Sequence, residues 1–153
     1  MAPVLLAIKS SYTAFKGLMY LVILILSIVT LAGAAQSQST GMGKFNTLLS
    51  VIMFLTVLAI PLMKVLPVDK IFDALKIPED KHYLSFFAFV LGLSVLIYLV
   101  SANNAVTDSK EKTQTTNAKR AATGIAVLTI IILAINHKLG LELNLDVTNM
   151  LPF

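Results

Sequence analysis

Four long stretches of apolar residues, each free of charge, organise this chain. They cover 17–35 (GLMYLVILILSIVTLAGAA), 45–63 (FNTLLSVIMFLTVLAIPLM), 83–102 (YLSFFAFVLGLSVLIYLVSA) and 121–136 (AATGIAVLTIIILAIN). At a helical rise of about 1.5 Å per residue, about 19 residues match a hydrocarbon core of about 30 Å. The fourth run is shorter, but Lys119 and Arg120 before it and Lys138 after it can snorkel outward and lengthen the span. β-branched residues are common in these runs, yet strands are not expected. Lipid offers no partner for backbone N–H and C=O groups, which leaves helices or a closed barrel. A barrel strand alternates apolar and polar residues over about ten positions, whereas these runs are continuous. The pattern predicts an all-α integral membrane protein, with 1–153 forming a single four-helix membrane domain and 137–153 an extramembrane tail.

The connecting segments refine this picture. Lys9, Lys16, the first run and Ala32-Gly33-Ala34 also resemble a secretory signal with a small-residue cleavage site. The apolar run is longer than a usual signal core and its basic leader is long, so an uncleaved first helix is expected. Upstream, Leu5, Ile8, Tyr12 and Phe15 share roughly one helical side, which suits either an extension of that helix or a segment along the interface.

Between the second and third runs, KVLPVDKIFDALKIPEDKHY interrupts the apolar chain. Val68, Ile71, Phe72 and Leu75 fall at i, i+3, i+4 and i+7, one apolar stripe. Pro67 favours a helix start and Pro78 a stop. About ten residues are too few to span, so a short interfacial helix is predicted, its stripe in the acyl boundary or on the protein's own helix ends.

Residues 103–120 read as a hydrophilic loop, a composition that ordinarily favours mobility. In the tail, Leu139, Leu141, Leu143, Leu145 and Val147 alternate with Gly140, Glu142, Asn144 and Asp146, the period of a half-buried β-strand. A lone strand needs an edge to pair with. The readings open to the tail are pairing with another subunit, contact with the membrane, or a helical extension of the fourth helix.

Composition agrees with a lipid environment. The chain is 57% hydrophobic and 13% charged, with mean hydropathy +0.85. Soluble domains carry about 25% charged residues, so half that supply cannot coat a water-facing globule of this size. The net charge of +4 comes from cations scattered among short polar segments, without the basic stripe of a nucleic-acid surface. Basic flanks beside apolar runs suit anionic lipid headgroups. An even helix count puts both termini on one side, together with Lys9, Lys16, Lys64, Lys70, Lys76, Lys81 and Lys138. Lys44, Lys110, Lys112, Lys119 and Arg120 fall on the other. The positive-inside rule then favours cytoplasmic termini, by a margin of two charges.

Candidate chemistry is sparse. The chain has no cysteine, which excludes disulfides and thiolate sites. His82 and His137 each sit beside a lysine at the end of an apolar run and show no ligand spacing. Acidic residues all lie outside the runs, where a proton or ion pathway would place one inside. Pro61 interrupts only the end of the second run, where it kinks or terminates a helix. Gly41 to Gly43 is too short for a phosphate loop. No catalytic, cofactor or metal residues are therefore assigned, and enzyme activity is not expected.

The remaining signals concern packing. Ala88 with Gly92, and Ala122 with Ala126, are small-xxx-small pairs that let backbones approach in lipid. Ser27, Thr30, Ser50, Thr56, Ser94 and Thr129 are placed to bond across helices or to their own backbone. Four helices, short connections and termini on one side resemble the layout of small tetraspan proteins of the MARVEL and COPI-associated Golgi groups; no residue role is carried over from that likeness. The expected function is structural: self-association, or service as a non-catalytic subunit of a larger membrane complex. Ala88, Gly92, Ala122 and Ala126 would pack helices, and Leu139, Leu141, Leu143, Leu145 and Val147 would make subunit contacts. The alternatives are an oligomeric channel or small-solute pore lined by Ser, Thr and Asn, and an accessory subunit of an energy-transducing complex. Expected partners are membrane lipids and other subunits, with structural lipids in place of any cofactor.

Overall fold

The computed structural model describes residues 2–62 and 82–139. These form α1 (Ala2–Ala35), α2 (Gly41–Ala59) with a 3-10 turn at Ile60–Leu62, α3 (His82–Ala102) and α4 (Ser109–Leu139). The described residues are all-helical, and four spans are long and apolar enough to cross a membrane: Phe15–Ala35, Gly41–Leu62, Leu84–Ala102 and Ser109–Asn136. The expected interfacial stripe Val68, Ile71, Phe72 and Leu75 lies outside the described residues. So do Leu141, Leu143, Leu145 and Val147 of the expected C-terminal strand. Leu139, the first position of that pattern, is the last residue of α4.

The basic leader extends α1, which runs unbroken for 34 residues. Thr40 caps α2, its extended backbone letting the hydroxyl accept from the Gly43 N–H at 3.0 Å. At the other end Pro61 has no N–H to offer the Val57 carbonyl one α-turn back. The Ile60 N–H bonds that carbonyl instead, which tightens the chain into the 3-10 turn, and the Tyr20 hydroxyl of α1 donates to it at 2.6 Å. Pro61 thus terminates the α-helix, and the carbonyl it orphans ties α2 to α1.

The hydrophilic stretch 103–120 is not a loop throughout. Only 103–108 connects, and α4 starts at Ser109, about three turns before the apolar run. Asp108 caps it, accepting from the Glu111 N–H at 3.2 Å, while Lys112 N–H reaches the Asp108 carbonyl at 2.9 Å. Thr113 and Thr116 satisfy their hydroxyls on carbonyls four residues back. Composition misled here because the inward positions Thr115, Ala118 and Ala122 are small rather than oily. They bury a helical face all the same.

α1 packs against α2 and α4, and α3 packs against the same two, so the helices form a four-sided bundle in chain order. Its core includes Tyr20, Ile23, Met53, Phe87, Ile97 and Ile125, all fully buried. Large apolar side chains also cover the outside: Leu18 is 61% exposed, Ile25 59% and Leu55 58%. A water-soluble monomer does not display so continuous an apolar belt; a hydrocarbon-facing bundle does.

Candidate functional site

Two features concentrate at the bundle end where the α1–α2 and α3–α4 connections meet: a seam of small residues and a polar clasp. The seam joins α1 to α4. A methyl group built on Gly33 would stand 2.6 Å from the Gln114 carbonyl oxygen and 3.0 Å from the Ala118 backbone nitrogen. Only glycine fits that crossing. Ala34, next to it in α1, and Ala118, Ala121 and Ala122 of α4 are buried as well, and farther along the same pair of helices Gly124 faces the Leu26 methyl, which a Cβ would meet at 2.9 Å. With no hydrophobic effect between helices in lipid, dispersion from such close approach has to hold them together.

The two expected small-residue pairs have opposite placements. Ala122 is buried in the seam and Ala126, one turn on, is half-buried. Ala88 and Gly92 are exposed on α3, and a Cβ at Gly92 would touch nothing within 4 Å. Gly33 drew notice in the sequence only within a possible cleavage site, and Ala118 was not singled out, although the spacing of Ala118, Ala122 and Ala126 repeats every four residues and points to Ala118.

The clasp sits at the tips. The Ser39 N–H and hydroxyl donate to the Glu111 carboxylate at 3.1 and 2.7 Å. Thr40 donates to the Asn104 side-chain oxygen, and the Asn104 amide donates to the Ser37 carbonyl at 3.4 Å. The motif Asp108-x-x-Glu111 has capping-box spacing; here Glu111 sends its carboxylate to the facing loop. One layer deeper, Thr47 donates to the Ala34 carbonyl at 3.0 Å, bridging α2 to α1. The buried Asn46 amide donates to the Ser101 hydroxyl at 2.8 Å, bridging α2 to α3. Among the described residues the Asn46 side-chain oxygen and the Thr115 hydroxyl have no partner, so this part of the interior retains hydrogen-bonding capacity.

Elsewhere polarity is internally spent. Ser27, Thr30, Ser50, Thr56, Ser94 and Thr129 each bond a carbonyl three or four residues back in their own helix. Lys16 is only 5% exposed and is engaged with a partner, although its position reads as a flank. Lys119 places its ammonium 5.4 Å from the centre of the Tyr98 ring, a cation–π distance. His82 opens α3 and His137 lies in the last turns of α4.

Removing the Ser101 hydroxyl tests the deeper layer. Ser101→Ala leaves the buried Asn46 side chain with neither amide group bonded, and a loss of about 1 kcal/mol is expected. Asn46→Leu combined with Ser101→Ala should lose less than Ser101→Ala alone. Reversible unfolding in mixed micelles gives both values.

No protein-family model, curated protein or solved structure matches this chain.

Proposed function

We propose that this chain is an integral membrane protein with an architectural role, self-associating or serving as a non-catalytic subunit of a larger membrane complex. The observation that carries this reading is the outward placement of Ala88 and Gly92, open space on a helix whose other exposed positions include Leu84, Phe89, Val95 and Leu96. A shallow groove of this kind lets another helix approach closely in lipid. The packed interior supports architecture over conduction through a single bundle, because large side chains fill it and the six hydroxyls named above bond to their own helices.

On this reading both termini share one side, the cytoplasmic side by the balance of lysine and arginine, and the tail from Leu139 to Val147 adds subunit contacts outside the lipid. The test is the mass of the assembly, by crosslinking in bilayers and by sedimentation in detergent. The full chain is expected to form a defined oligomer or mixed complex. Ala88→Leu with Gly92→Leu should reduce association several-fold while leaving helix content unchanged, and a chain ending at Lys138 should lose part of it. A monomer that neither change affects overturns the reading. Solute flux from liposomes holding the full chain would favour a pore instead.

A further inference from the structure

Lys119 and Arg120 lie deeper than a flanking position requires. α4 crosses α1 at two fixed points, where Gln114 and Ala118 meet Gly33 and where Gly124 meets Leu26. Residues 119 and 120 fall between those crossings, level with the apolar part of α1 and short of its end at Ala35. A second marker agrees, since Lys119 rests on Tyr98, one turn inside the end of α3 at Ala102. Arg120 is exposed on the outer face of α4, with Thr123 exposed one turn below it and Val127, 49% exposed, a turn further. The Thr123 hydroxyl donates to the Lys119 carbonyl at 2.9 Å, so that face passes from the cations through a small, internally bonded side chain to apolar Val127.

Among the described residues no carboxylate balances this pair. The acidic groups among the described residues are Asp108 and Glu111, and they bond the Glu111 N–H and Ser39. Glu111 lies nine residues up the helix from Arg120, about 13 Å along its axis, beyond the reach of an ion pair of about 4 Å. Cations at hydrocarbon depth are costly unless they reach an anion or the interface. A guanidinium also presents a planar fork matched to phosphate oxygens.

We infer that Lys119, Arg120 and the Thr123 face of α4 form a binding site for the phosphate of an anionic phospholipid, with the lipid's chains lying along Val127 and Ile130. Arg120 engages the phosphate, and Lys119, held against the Tyr98 ring, supplies the second charge. The site stabilises the α3–α4 edge of the bundle from the lipid side.

This inference rests on the membrane-spanning reading, and the experiment separates the two. The full chain is purified in mild detergent, offered equal amounts of phosphatidylglycerol and phosphatidylcholine, and weighed with retained lipid by native mass spectrometry. Phosphatidylglycerol should be retained with a preference of about ten-fold. Lys119→Gln with Arg120→Gln should abolish the preference. Lys110→Gln with Lys112→Gln, an equal loss of charge nearer the start of the same helix, should preserve it. The inference is overturned if the two lipids bind equally, if both double variants lose the preference alike, or if excess inorganic phosphate removes it. A chain that stays monodisperse and helical without any amphiphile overturns the membrane-spanning reading itself, whatever the lipid result.

Discussion

Gly43→Ala will unseat the start of α2. The added methyl would stand 1.9 Å from the Ser37 carbonyl oxygen and 3.0 Å from its carbonyl carbon, so the loop or the helix has to move by more than an ångström. Neither can yield alone. The Ser37 carbonyl accepts from Asn104, the Ser37 N–H bonds Ala34 at 3.1 Å, and the Gly43 N–H is the group that Thr40 caps. Overpacking of this kind costs about 1–3 kcal/mol, and losing the cap adds about 1 kcal/mol. The measurement is reversible unfolding in mixed micelles, followed by helical circular dichroism. Gly41→Ala is the control, since its Cβ would meet nothing within 4 Å. Equal stability of the two variants would show that Gly43 is not held against Ser37.

Gly33→Ala is expected to cost about 1–3 kcal/mol through the α1–α4 seam. Its nearest obstacle is the backbone carbonyl of Gln114, which belongs to α4 itself and cannot rotate away. The helices must separate, and the burial of Ala34, Ala118 and Ala122 is loosened with them. Adding Ala118→Gly removes only the side-chain contact at 3.1 Å and should restore little. Gly124→Ala meets the end of a flexible leucine at 2.9 Å and should cost less than Gly33→Ala. Gly92→Ala adds a methyl in open space and should not destabilise the single chain. A Gly33→Ala variant as stable as Gly92→Ala would remove the seam as the basis of the fold.

These glycines separate two kinds of close packing that look alike in a sequence. Gly33 is needed inside one bundle. Gly92 is not, which is why its placement supports association with another helix and why its variants belong in an assembly assay. The clasp makes a related distinction among polar residues. Ser39, Asn104 and Glu111 tie the two bundle-end connections together, whereas the hydroxyls of Ser27, Thr30, Ser50, Thr56, Ser94 and Thr129 satisfy carbonyls of their own helices. Bonding one's own helix costs no tertiary alignment, so a serine or threonine in an apolar run carries little information about its neighbours.

The four apolar runs were enough to place, among the described residues, four helices long and apolar enough to cross a membrane. Those properties follow from transfer free energy and backbone satisfaction, which depend on local composition and length. The end of α2 was legible in the same way, because a proline removes a donor wherever it stands. The first three turns of α4 were obscured, since Thr, Asn and Lys favour mobility unless one face is buried. That burial comes from α1, far away in sequence. Which small pair faces inward, which cations fall between the two crossings of α1 and α4, and which loop receives Glu111 all depend on the rotation and depth of one helix against another. Only the packed tertiary structure decided them, because helix rotation in lipid is set by side-chain fit between neighbours, and hydrophobicity is nearly the same all round each helix.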